Sequence, residues 1–143
     1  MIFNIIYSFI YNIIIKIGMS KHQKICTNVE ISKIYFKNGT INIYFKDFDK
    51  YNILIACADC CSESWFELFD NEPIDQIIGK KIVSIQYVKD IDLPPSGVQE
   101  CDINHMYRIN FTDDTHYDFI LRNSSNGYYD GWLEIEKKDI PKN

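Results

Sequence analysis

Hydrophobic and polar residues alternate along most of the chain, and this period of two predicts β-strands. Ile41, Ile43 and Phe45 give the clearest case, and the Asn-Gly dipeptide at 38–39 predicts a tight hairpin turn just before them. A bulge is expected near Ser32, where the alternation of the first strand breaks. The same pattern predicts strands over residues 29–36, 41–46, 82–88, 105–112, 116–122 and 132–136.

The pattern changes twice after this hairpin. Residues 51–58 are apolar at both alternating sets, which predicts a central strand that is covered on both sides. Trp65, Leu68 and Phe69 then follow at helical spacing, so residues 59–70 are predicted to form a short helix. An aspartate that can cap the helix precedes it, and a proline follows it.

The element order is therefore βββ-α-β-βββ, which is typical of an α+β fold. We expect a mostly antiparallel sheet of about six or seven strands, curled over one short helix. A chain of 143 residues, of which 46% are hydrophobic, is long enough for one domain with its own core. That domain is predicted to span residues 29–138, between a leader at 19–28 and a tail at 139–143.

The N-terminal segment 1–18 is apolar, and its first charged residue is Lys16. Three interpretations stay open. Translation can start at Met19, so that the segment is never made. The segment can be a membrane anchor, although it is short for a span of about 20 residues, and the lysines behind it would then keep the domain on the cytosolic side. It can also be a signal peptide.

The charge balance argues against nucleic acid as the partner. Lys and Arg together number 15 and Asp and Glu number 20, which gives a formal net charge of -5. Nucleic-acid binding needs a positive footprint for the phosphates, so a protein partner is favoured, although a local basic patch can still form in three dimensions. The five cysteines are an odd number and include an adjacent pair, which fits a reducing compartment better than a disulfide framework.

Three stretches of the sequence stand out together. The most distinctive is the heptad Asp59-Cys60-Cys61-Ser62-Glu63-Ser64-Trp65, and the others are segments 78–82 and 126–133. They resemble a small, uncharacterised domain family of bacteria, phages and giant DNA viruses. The resemblance covers roughly residues 41–136. It implies a viral or phage-like origin and no particular activity. A protein of this kind is expected in the host cytoplasm, or on a membrane if segment 1–18 is inserted.

The Cys60-Cys61 pair is the first candidate for chemistry. At the start of the predicted helix, the helix dipole and free N–H groups stabilise a thiolate. Such a thiolate can act as a nucleophile, with His116 or His105 as its base. The interpretation that we prefer is structural, with one thiol packed as a small hydrophobe and the other lining the helix start.

A structural zinc site is a second hypothesis, and no other cofactor is expected. Cys57, Cys60, Cys101 and His105 have ligand types and local spacings that zinc accepts. The two halves of this set need not meet in space. A disulfide between Cys57 and Cys60 is another use of the same residues.

Several aromatic and polar residues are candidates for a contact surface, with ordinary packing as their alternative role. They are Trp65, Asn126, Tyr128, Tyr129 and Trp132. No nucleophile, base and orienting group stand together at a diagnostic spacing. The favoured function is therefore a non-enzymatic binding or interaction module, with a cysteine-dependent enzyme and a structural zinc domain as the alternatives.

Overall fold

The computed structural model describes residues 24–142, and this part of the chain forms eight β-strands. They are β1 (Ile31–Lys37), β2 (Thr40–Phe45), β3 (Lys50–Ala58), β4 (Glu63–Leu68), β5 (Ile82–Asp90), β6 (Cys101–Phe111), β7 (His116–Ser125) and β8 (Gly131–Asp139). Sheet 1 has the strand order β1-β2-β3-β8, and sheet 2 has the order β4-β7-β6-β5. All neighbouring strands are antiparallel.

The predicted α+β class is wrong, because the described residues are nearly all β. Their one helical element is a short 3₁₀ turn, Ile74–Ile77. The segment predicted as a helix contains β4, in which Phe66 and Leu68 pack into the core. Trp65 faces the other way and lies against Arg122, with the guanidinium 5.7 Å from the ring centroid. Because β4 carries apolar residues on both faces, its period of two was hidden in the sequence.

The core lies between the two sheets, as in a β-sandwich. Sheet 1 contributes the buried side chains of Ile31, Ile41, Ile43, Phe45 and Leu54. Sheet 2 contributes Phe66, Ile82, Ile109, Phe111, Tyr117, Phe119 and Leu121. These inward sets of β2, β6 and β7 follow the predicted alternation, and the predicted bulge is present between Ile31 and Lys33.

The sheets are tied together along the edge formed by β1 and β5. The Ile31 amide donates to the Lys80 carbonyl (2.9 Å), and the Gly79 amide donates to the Ile31 carbonyl (2.8 Å). Gly79 has a φ of +90°, which a glycine adopts without strain. This contact fixes the start of β5 against the start of β1.

Residues 24–28 belong to the predicted leader, yet they pack against the domain. Ile25 and Cys26 are buried in the core. The side chain of Asn52 accepts a hydrogen bond from the Cys26 amide (2.8 Å) and donates to the Lys24 carbonyl (2.6 Å). The anchor, signal-peptide and late-start interpretations fall on segment 1–18, which lies outside the described residues. Across 24–142, no helix has the length and apolar character needed to cross a membrane.

Candidate functional site

The Asp59–Ser62 turn between β3 and β4 presents the two adjacent cysteines to solvent. The Ser62 amide donates to the Asp59 carbonyl (3.1 Å), which closes the turn. Cys61 has a φ of +69°, a left-handed conformation that is uncommon outside glycine. The two sulfur atoms, Cys60 Sγ and Cys61 Sγ, lie 3.3 Å apart, and both residues are exposed. The hydrogen bond with Cys60 raises the pKa of the Cys61 thiol.

Asn123, on β7, anchors the end of this turn by hydrogen bonds. Its Nδ2 donates to Ser62 Oγ (3.1 Å) and Ser64 Oγ (3.0 Å), while its Oδ1 has no partner among the described residues. Asn123 is fully buried near the end of β7, one residue beyond the strand predicted over 116–122. Gln99 adds a second support, since its Nε2 donates to the Cys61 carbonyl (3.1 Å).

The loop 126–130 leads from β7 to β8 and lies beside the cysteine turn. Ser125 Oγ accepts from the Gly127 amide (3.0 Å) and donates to the Tyr129 carbonyl (3.1 Å). Asn126 Oδ1 accepts from the Tyr128 amide (3.3 Å). These bonds fix the loop while leaving Tyr128 88% exposed. We call the turn 59–62, residues 98–101 and the loop 126–130 together the motif end.

His105 links the loop to sheet 2. Its Nδ1 lies 2.5 Å from Asp90 Oδ1, and its Nε2 lies 2.9 Å from Asp130 Oδ1. Burial favours the neutral ring, but the hydrogen bonds and charges of the two carboxylates outweigh it, so the pKa of His105 is raised. The Asp59 amide in turn donates to the Asp130 carbonyl (3.2 Å), which connects this cluster to the cysteine turn.

A buried arginine organises the outward face of sheet 2. Arg122 Nε donates to Asn104 Oδ1 (3.0 Å), and Nη2 donates to the Pro94 carbonyl (2.8 Å) and to Asp102 Oδ2 (3.3 Å). Its Nη1 donates to Glu67 Oε1 (3.1 Å). These contacts fasten the loop after β5 onto the sheet. In the sequence, only an arginine at the end of the strand predicted over 116–122 pointed to them.

A groove of about 550 Å³ opens between Trp65 and the proline-containing loop, and Arg122 lines it. The Trp65 Nε1 donates to Glu67 Oε1 (3.0 Å), so the polar atom of the ring is already satisfied. The charged atoms of Arg122 are also paired, and the apolar contacts of the groove come from Leu93, Pro94, Pro95 and Val98 beside Trp65.

The structure separates the catalytic candidates. His116 and Ser125 are at opposite ends of β7, roughly 30 Å apart at about 3.3 Å per residue, and the cysteine turn lies at the Ser125 end. His105 is at the cysteine end, but both of its ring nitrogens face carboxylates. Among residues 24–142, no hydrogen bond joins a histidine to Cys60 or Cys61. The cysteine–histidine enzyme stays a hypothesis without a formed nucleophile–base pair.

The zinc candidates occupy different surroundings. Cys57 pairs across the strands with Trp132, Cys101 is exposed at the start of β6, and His105 is held by its two carboxylates. In the described part of the chain, no three cysteine, histidine or acidic side chains are grouped closely enough to hold a metal ion. All five cysteines are free thiols. Structural zinc therefore stays a prediction.

The contact-surface candidates divide by exposure. Tyr128 and Trp132 are exposed, at 88% and 41%. Trp65 is half-buried under Arg122, and Tyr129 is half-buried. Asn126 is exposed, and both Asn126 and Tyr129 contribute to the internal hydrogen bonds of the loop. Val98, which the sequence did not single out, is exposed at the same end.

The fold and the motif end define a small all-β protein with a rigid, loop-built surface. No family model matches the chain, and no solved structure matches it. Uncharacterized protein L278 of Acanthamoeba polyphaga mimivirus is 60% identical over 111 residues, covering 78% of this chain and 88% of that protein. The chain belongs to the same family as this giant-virus protein. The wider family expected from the Asp59–Trp65 heptad stays a prediction.

Proposed function

We propose that the protein is a non-enzymatic binding module, that its contact surface is the motif end, and that Tyr128 is the anchor of that surface. The observation that carries this proposal is the 88% exposure of Tyr128 on a loop fixed by its own hydrogen bonds. A rigid aromatic side chain loses little conformational entropy on binding, and buried tyrosines dominate many interfaces.

Further exposed apolar groups lie in the segments that build this end of the molecule. Val98 and Trp132 are 46% and 41% exposed. The residue after Val98, Gln99, is fixed by a hydrogen bond from its amide to Ser124 Oγ (2.9 Å). Contact groups therefore come from two segments, 98–99 and 128–132, and the hydrogen bond ties the first of them to β7, as expected of a preorganised surface.

The charge at the motif end favours a protein partner. Residues 57–65, 95–103 and 123–134 contain no lysine or arginine, but they include Asp59, Glu63, Glu100, Asp102, Asp130 and Glu134. Such a surface repels phosphates and attracts basic groups. The partner we expect is a protein with an apolar pocket for Tyr128 and a basic rim around it.

Site-specific photo-crosslinking in the cells where the protein occurs naturally tests this proposal. A photoreactive phenylalanine analogue at position 128 should give a discrete crosslinked partner. The same analogue at Val83, which is 48% exposed on β5, should not. The full chain carrying Tyr128→Ala should then bind the identified partner about 30-fold more weakly, as loss of a hot-spot residue worth about 2 kcal/mol requires.

Circular dichroism should show that Tyr128→Ala keeps its fold, because the lost side chain is exposed. Equal crosslinking from positions 128 and 83, or an unchanged affinity of Tyr128→Ala, would show that the motif end is not the contact surface.

A further inference from the structure

Sheet 1 has an outer face that turns away from the core. Its β3 residues Tyr51, Ile53 and Ile55 are only half-buried, whereas the alternate residues Asn52 and Leu54 are fully buried. The sequence predicted that β3 would be covered on both sides. Within residues 24–142, the hydrogen bonds, ion pairs and ring contacts of the outer-face side chains all stay within the sheet.

The charges on this outer face are separated by strand. Cross-strand pairing places Lys37, Thr40, Ile55 and Glu134 in one row, and Tyr35, Asn42, Ile53 and Glu136 in the next. The basic end of the first row is therefore at β1, its apolar centre is at β3, and its acidic end is at β8. Both Lys37 and Glu134 are exposed, and neither has an ion-pair partner in the described residues.

We propose that this outer face binds the same face of a second copy of the chain, around a two-fold axis parallel to the strands. That axis reverses the strand order, so β1 of one copy lies over β8 of the other. Lys37 then faces the second copy's Glu134, and symmetry repeats the ion pair. Between these pairs, Ile55 of each copy lies over Thr40 of the other, as in a self-complementary interface.

A third row of the outer face runs from Lys33 on β1 to Lys138 on β8. In the dimer this row brings like charges together, because Lys33 of one copy approaches Lys138 of the other. Both lysines have local partners that reduce this repulsion. Lys138 Nζ lies 3.4 Å from Glu136 Oε2, and Lys33 Nζ lies 4.5 Å from the centroid of the Tyr35 ring. The interaction is therefore strongest in the Lys37–Glu134 row.

The charges favour a second copy as the occupant, and the area permits one. The face carries both signs, with Lys33, Lys37 and Lys138 towards its two edges and Glu134 and Glu136 on β8. This mixture suits a copy of the same face better than a phosphate backbone, although three tyrosines on the face could stack with bases. Four strands and about 25 Å of strand length give a face of roughly 500 Å² per copy. About 1,000 Å² in total is near the lower limit for a specific interface, so we expect a dissociation constant in the micromolar range.

Sedimentation equilibrium of the full chain tests this dimer between about 1 and 100 μM. The wild type should dimerise. Lys37→Glu and Glu134→Lys should each weaken dimerisation about tenfold or more, because each places like charges opposite one another. The double variant restores both pairs with reversed sign and should return to within about threefold of the wild type.

Lys89→Glu is the matched control, because it makes the same change of net charge on an exposed residue of sheet 2. It should leave dimerisation unchanged. A wild type that stays monomeric throughout the range overturns the proposal. So does a dimer that is indifferent to both single reversals, or one that Lys89→Glu weakens as much as Lys37→Glu does.

Discussion

His105 shows how one residue can acquire its character from distant parts of the chain. Asp90 comes from β5 and Asp130 from the loop before β8, and both carboxylates contact the same imidazole. The sequence identified His105 as a reactive candidate on a strand. It gave no indication of these two partners, because they meet only after the strands pair.

The raised pKa of His105 predicts a pH-dependent stability. A histidine whose folded-state pKa lies above its unfolded value of about 6.5 contributes fully below that pH and loses its contribution as pH rises through the folded pKa. The free energy of unfolding of the wild type minus that of His105→Gln should therefore fall as the pH rises above about 6.5. Urea denaturation at a series of pH values measures this difference.

His116→Gln is the control, because the His116 side chain is half exposed and lies 3.8 Å from its nearest carboxylate, that of Asp118. The His105→Gln difference should depend on pH more strongly than the His116→Gln difference, because His105 lies between two carboxylates. A His105→Gln difference that stays constant, or grows as pH rises, would contradict the two-carboxylate clamp.

At the scale of elements, alternation predicted six of the eight strands, the apolar run 51–58 predicted β3, and β4 was missed. Strands β2, β6 and β7 have one apolar set facing the core, so a single row of side chains identified each of them. In β4, Trp65 faces outward against Arg122 and Phe66 faces inward. The alternation is lost because the outward face of β4 is also covered, by Arg122. Arg122 is distant from Trp65 in the sequence, so no local pattern reveals this contact.

Gly131, the first residue of β8, lies so close to β3 and β4 that a larger side chain should destabilise the protein. A Cβ at this position would lie 2.1 Å from Ser64 Oγ and 2.9 Å from the Cys57 carbonyl oxygen. The serine can rotate, but the carbonyl belongs to the backbone of β3 and cannot move independently. Gly131→Ala should therefore reduce the free energy of unfolding by about 1–3 kcal/mol, as measured by urea denaturation.

Gly39→Ala is the matched control, since a Cβ there has no neighbour within 4 Å. Its stability should stay close to that of the wild type. Equal stability of the two variants would mean that β8 sits farther from β4 than the structure places it.

At the scale of the whole molecule, the predicted single domain corresponds to two sheets that share one core. The class was wrong because a sandwich needs the chain to cross between sheets, and the crossing between β3 and β4 was interpreted as a helix. The candidate site was predicted in part. The Asp59–Trp65 heptad and segment 126–133 do lie side by side, whereas the supports from Gln99 and His105 depend on tertiary contacts that no local pattern encodes.

Labelling of Cys26 tests whether residues 24–28 unfold together with the two sheets. It is 3% exposed, and burial raises the pKa of its thiol even though nearby lysines lower it. Alkylation of the folded protein should modify Cys60, Cys61 and Cys101 rapidly and leave Cys26 unmodified. In increasing urea, labelling of Cys26 should rise together with the loss of β-sheet circular dichroism.

Mass spectrometry of alkylated peptides locates the label on each cysteine. Labelling of Cys26 well below the urea concentration that unfolds the sheets would contradict this expectation. It would mean that residues 24–28 open independently, despite their hydrogen bonds to Asn52.

The position of β8 in sheet 1 has a consequence for protein synthesis. Among the strands of residues 24–142, β1 to β3 leave the ribosome first, but the neighbour of β3 is β8, the last of the eight. A nascent chain therefore carries an open edge at β3 until Gly131–Asp139 emerges, and such edges recruit other chains. A chain that stalls before β8 is consequently open to aggregation along β3, and pairing with this nine-residue strand closes the edge.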